Sequence, residues 1–140
     1  MEKTLKKAAI GISAFLAAVY VFSISNSLYW FFPWMDIPLH FLGGLWAAVF
    51  FAWLNLKFNL RFFEGRNFLW NFVLTLSFAA LIGVLWEFFE FSRDFFSSSM
   101  DISKMAQISV SDTMGDLFFD LLGGAFFVLA FKRFFSGQNL

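Results

Sequence analysis

The sequence has no cysteine, which excludes disulfides, zinc–thiolate centres and cysteine nucleophiles. It also has little charge: 14% of its 140 residues, ten basic against ten acidic, for a formal net charge of zero. Soluble domains carry about a quarter charged residues, so a chain this short has too little polar surface to cover itself in water. No cluster of Lys and Arg supplies the positive field that phosphate backbones require, and nucleic acid is not an expected partner. The G-x-S-x-G, H-E-x-x-H and P-loop patterns are missing as well, which leaves serine-hydrolase, zincin and nucleotide chemistries without support. No Pro-rich, Ser-rich or like-charged stretch marks a linker or tail, so residues 1–140 read as a single transmembrane domain.

What the chain has instead is apolar residues, 60% of the total, 25 of them Phe. Four runs, 8–25, 37–56, 68–91 and 112–131, are each long enough to cross roughly 30 Å of hydrocarbon as a helix of about 20 residues. The expected fold is all-α, an integral membrane four-helix bundle in a lipid bilayer. The first run follows Lys3, Lys6 and Lys7, as a signal peptide would. Its length, and the small residues Gly11, Ala14 and Ala18 on one face, favour a retained helix packed against others. The 25 Phe need no role beyond lipid contact and packing. The connection 92–111 reads as a surface loop on the headgroups, with a lid as the alternative.

Basic residues favour the cytoplasmic side. Lys3, Lys6 and Lys7 precede the first run, Lys57, Arg61 and Arg66 lie between the second and third, and Lys132 and Arg133 follow the fourth. Both termini are therefore expected in the cytoplasm, with the protein in the cell membrane. Tyr29, Trp30, Trp34 and Trp86 then fall at the outer interface, and Trp53 and Trp70 at the inner one. In this topology eight of ten basic residues are inside and eight of ten acidic residues, all but Glu2 and Glu64, are in the outer half. The zero net charge is a cancellation across the membrane.

One pattern recurs. Asp36-Ile-Pro-Leu-His40-Phe-Leu-Gly43-Gly44 and Asp116-Leu-Phe-Phe-Asp120-Leu-Leu-Gly123-Gly124 share D-x-x-x-[HD]-x-L-G-G, which suggests a tandem repeat of two helical hairpins. Asp36, His40, Glu87, Glu90, Asp112, Asp116 and Asp120 all fall in or at the ends of apolar runs, where an ionisable group facing lipid costs about 2.5–3.5 kcal/mol at a helix centre. Spacings of three and four put each helix's set on one face, so the residues are expected to face one another in an outward-facing pocket. Clustered carboxylates require raised proton affinity or a cation. Oxygen ligands with one His suit a divalent metal ion such as Mg²⁺, Mn²⁺, Ca²⁺, Zn²⁺ or Fe²⁺. Less specific roles are also open: Asp36 and Asp112 read as N-caps, Glu90 as a partner for Arg93, and Asp120 as interhelical glue.

Asp36-x-x-x-His40-Phe41, Glu87 at the end of the next helix, and Asp112-Thr113-x-x-Asp116-x-x-x-Asp120-x-x-Gly123 together resemble the VanZ-like membrane proteins and the related YjdF-like group. Asp120 stands where the VanZ-like pattern usually has Asn, and Glu90 where Gln is common. The resemblance implies a role in the cell envelope and names no reaction. The leading expectation is a metal-dependent hydrolase or transferase acting on an envelope or lipid-linked substrate. His40, Asp116 and Asp120 would hold the ion, and Glu87 would be ligand or general base beside a catalytic His40. The alternatives are a small ion- or proton-coupled carrier, which would require a homo-oligomer to enclose a path, and a structural or accessory subunit.

Overall fold

A backbone in hydrocarbon must satisfy its own hydrogen bonds, so apolar runs of this length become helices. The computed structural model describes residues 1–63, 67–96, 106 and 109–132. Its long helices are α1 (Glu2–Ser25), α3 (Asp36–Lys57), α4 (Phe68–Phe96) and α5 (Val110–Ala130), with a single-turn α2 (Leu28–Phe31) and a 3₁₀ turn (Pro33–Met35) between α1 and α3. No strand occurs among the described residues. All four long helices have the length and hydropathy to cross a membrane, and the fold is an all-helical bundle of the membrane type. The 92–111 connection lies largely outside the described residues, as do Arg66, Lys104 and Arg133.

Local chemistry sets the helix ends. Pro33 opens the 3₁₀ turn, and Pro38 sits in the first turn of α3, where a backbone N–H has no intrahelical partner to lose. Beyond Lys57 the chain turns back through Asn59 and Arg61, both at positive φ, and Asn55 holds the turn by accepting from the Phe62 N–H at 2.9 Å. Asn67 caps α4, its Oδ1 accepting from the Trp70 N–H at 2.8 Å. Two expected caps are displaced. Asp36 lies inside the first turn of α3, with Met35 in the cap position, and Ser109 caps α5 by accepting from the Asp112 N–H at 3.2 Å. An acidic residue is favoured in the first turn by the helix dipole as well as at the cap, so the sequence alone does not separate the two positions.

The central pair is α3 and α5, with α1 packed on α3 and α4 packed on both. Lipid is as apolar as leucine, so membrane helices associate through close packing and polar bonds rather than hydrophobic burial. The paired glycines provide that packing. A Cβ on Gly44 would fall inside the Asp120 carbonyl group, and one on Gly123 would overlap the Phe41 carbonyl. The two copies of the D-x-x-x-[HD]-x-L-G-G pattern therefore cross backbone to backbone, with Asp36 and His40 on the same level as Asp116 and Asp120. Away from this level the bundle is filled by Ala48, Val49, Phe51, Ala52, Phe127 and Val128, with Phe51 stacked on Phe78 at 4.7 Å.

Gly11, Ala14 and Ala18 are not the packing face of α1. All three are exposed, and nothing lies within 4 Å of a Cβ built on Gly11. Contact with α3 runs instead through Ala9, with Leu5 and Ala8 beside it, and the Trp46 indole donates to the Ala9 carbonyl at 3.0 Å. Trp46→Phe, which keeps an aromatic ring but removes the donor and part of the indole's volume, is expected to cost at least what the hydrogen bond contributes, about 0.5–1.5 kcal/mol. Unfolding in mixed micelles, followed by the fluorescence of the other tryptophans, measures this.

Candidate functional site

Three helices deliver the ionisable residues to one place because each carries them at helical spacing on the face turned to the α3–α5 crossing. Asp36, His40, Glu87, Glu90, Asp116 and Asp120 are all buried. The imidazole is the hub. Its Nδ1 lies 3.3 Å from Asp120 Oδ2, and its Nε2 lies 3.6 Å from Asp36, 3.9 Å from Glu87 and 3.9 Å from Asp116. Two glycines make room for Asp120. A Cβ on Gly43 would come within 3.2 Å of its Oδ1, and one on Gly83 of α4 would overlap its Oδ2.

Glu90 is 2% exposed, and its Oε1 has no hydrogen-bond partner among the described residues. Such a carboxyl is stable as the neutral acid or beside a cation, because an isolated buried carboxylate carries a large desolvation cost. The guanidinium of Arg93, expected to serve Glu90, is engaged elsewhere: it donates to Asp94, at 2.9 Å from Nε, and to the Tyr20 hydroxyl at 3.0 Å. Asp94 also accepts from the backbone N–H of Ala106 at 2.9 Å, a role with no signal in the sequence. Asp112 is half-buried, one helical turn from Asp116 towards the start of α5.

Two sets of donor atoms each gather within 4.8 Å: Asp36, His40 and Asp116, and His40, Glu87 and Glu90. They share His40 and describe one locus. Ligands of a single ion at about 2.0–2.6 Å from the metal stand about 3–5 Å apart, so little side-chain movement separates these sets from a coordination sphere. Asp36 and Glu90 belong to them, whereas Asp112 and Asp120 do not.

Next to the cluster is a cavity of about 610 Å³ between α1, α3 and α4, with Asp36, His40 and Asp120 on its wall. Sequence reading missed it. Tyr20, Tyr29, Trp86 and Phe89 line it, and in an apolar run or at the expected aromatic belt such residues look no different from ones facing lipid. Tyr29, on the short α2, is buried; burial first, and the nearby Asp36 and Glu90 carboxylates next, raise the proton affinity of its phenol.

A family described as "Predicted membrane protein (DUF2238)" matches residues 4–137. The chain belongs to this family. Membership agrees with the four spanning helices and covers every residue of the cluster. No curated protein and no solved structure matches the chain. For a DUF2238 chain, then, the side chains themselves must argue for a function.

Proposed function

We propose that the cluster binds a divalent cation and uses it for hydrolysis or group transfer on an envelope or lipid-linked substrate. One observation carries this reading: a single imidazole whose Nε2 faces carboxylates from three helices while its Nδ1 meets a further one. Metal-binding histidines commonly donate from one nitrogen to a carboxylate and coordinate through the other. On that pattern His40 Nε2, Asp36, Glu87 and Asp116 are the ligands, Asp120 orients His40 rather than ligating, and Glu90 is the adjacent base or a further ligand. The bound ion would supply a water acidified towards neutral pH and a Lewis acid for the substrate's oxygen. The charge distribution of the sequence supports termini in the cytoplasm, the cell membrane as location, and the cluster on the outer side. The order and spacing of the acidic motifs support kinship with the VanZ-like and YjdF-like groups.

Transport is less well supported. Beyond the cluster Ala47, Ala48, Ala52 and Val128 are fully buried, and the buried polar side chains there, Asn55, Asn71 and Thr75, include no ionisable group among the described residues. Metal analysis after equilibration with Mg²⁺, Mn²⁺, Zn²⁺ or Fe²⁺ and removal of free ion tests the proposal. The parent chain is expected to retain a stoichiometric ion, His40→Ala to lose it, and Asp120→Ala to bind it about 10–100-fold more weakly, as loss of an outer-shell partner does. A parent chain that retains no metal sinks the reading.

A further inference from the structure

Helix α1 packs along α3 and meets α4 through Tyr20. What lies between α1 and α4 is the 610 Å³ cavity, within the range of about 300–1,000 Å³ typical of small-molecule sites. Its composition is graded. Leu16 and Ala17 of α1, Leu39 of α3, and Ile82 and Leu85 of α4 make an apolar wall, while Asp36, His40 and Asp120 stand together on the α3–α5 side. Tyr20 bridges from α1 to α4 in edge contact with Trp86, ring centroids 5.0 Å apart, and its hydroxyl accepts from Arg93 at 3.0 Å. The flank is open: Val21 and Leu85 both line the cavity, yet are 63% and 53% exposed on the outer surface of the bundle. In a spanning bundle that surface is bathed in lipid, so the cavity's open side faces hydrocarbon.

We infer that this cavity receives one apolar chain of a membrane lipid, entering sideways between α1 and α4, and that the lipid's polar end meets the His40 cluster. An apolar wall ending in a group of carboxylates and an imidazole matches an amphiphile. A water-soluble polar substrate would find no partners along most of the wall. This deepens the proposed function by naming the substrate class, and one part rests on that reading: an anionic phosphate head is acceptable to a carboxylate cluster only across a bound divalent cation. Placement of the chain does not depend on the ion. Arg93, Tyr20 and Trp86 form a contact between α1 and α4 that must yield if α1 is to swing outwards.

The test uses the full chain in lipid nanodiscs and a lysophosphatidic acid with a diazirine at mid-chain, irradiated with Mn²⁺ or with EDTA and mapped by peptide mass spectrometry. Label is expected on the cavity faces of α1 and α4, around 13–21 and 82–89. Ala17→Trp, which fills the cavity from α1, is expected to lower it at least about five-fold, in line with the loss of a well-shaped apolar site. Ala14→Trp, the same change on the exposed face of α1, is expected to leave it unchanged. Leu85→Trp fills the cavity from the opposite wall and decides the matter if Ala17→Trp does not fold. Label spread evenly over lipid-facing residues such as Phe118 and Phe126, or label insensitive to both fillers, overturns the inference. The two readings fail separately. Filler-sensitive labelling in a chain that binds no metal leaves the chain site standing and removes the cation, whereas metal binding with diffuse labelling does the reverse.

Discussion

Gly44→Ala will break the α3–α5 crossing, and the chain will lose its fold in detergent under conditions where the parent is stable. The added methyl would have to occupy the position of the Asp120 carbonyl group. Overpacking against side chains costs about 1–3 kcal/mol because rotamers can yield. Here the obstacle is helical backbone, so the two helices must move apart, and the expected loss is at or above the top of that range. Gly123→Ala meets the Phe41 carbonyl from the other side and should behave alike. Separation at this point also moves Asp120 from His40, so any variant that survives should bind cation poorly. Gly11→Ala and Gly115→Ala are the controls. Nothing lies within 4 Å of a Cβ at either position, and alanine is the better helix former by about 1 kcal/mol, so both are expected to be neutral or slightly stabilising. Denaturant unfolding of the four variants measures the difference, and parental stability in Gly44→Ala would show that the glycine contact does not hold the bundle.

Saturating the cluster with its cation should raise stability by about 2.7 kcal/mol at one hundred times the dissociation constant, the linkage expected for a ligand that binds only the folded state. The effect should vanish in EDTA and in His40→Ala. Glu90→Gln separates the ion's contribution from that of the protein. The amide has nearly the same shape and no charge, so without cation it should match or exceed the parent in stability. With cation it should gain less than the parent, because a nearby negative charge has been removed. Thermal unfolding with and without Mn²⁺ reads both effects, and a parent chain whose melting is indifferent to every divalent ion tried contradicts the cation site.

Much of this protein was legible in its residues. Runs of apolar side chains located the four helices, since only helices satisfy a backbone in lipid. The ends were less accurate: α4 continues to Phe96 beyond the expected 91, because Ser92, Arg93 and Asp94 still complete helical hydrogen bonds after the apolar run has stopped. Spacing by three and four identified which ionisable residues share a face, and the cost of charge in hydrocarbon implied that those faces meet. The glycine pairs were legible as points of close approach.

The division has a physical basis. Helical periodicity and transfer cost are local properties, so the sequence by itself determined an all-helical membrane chain, the placement of its spans, and the set of residues from which a polar site would be built. How far each helix is rotated and which neighbour it meets depend on the crossing at Gly44 and Gly123, to which residues from both ends of the chain contribute. That crossing, visible only in the tertiary structure, decided that Glu87 of α4 and Asp116 of α5 come to the same His40 nitrogen as its neighbour on the helix, Asp36. It also decided that the imidazole has Asp120 on one nitrogen and three carboxylates on the other. The same packing lays α1 along α3, touching α4 through Tyr20, with Gly11, Ala14 and Ala18 outwards, and so opens beside α4 a cavity that no run of residues records.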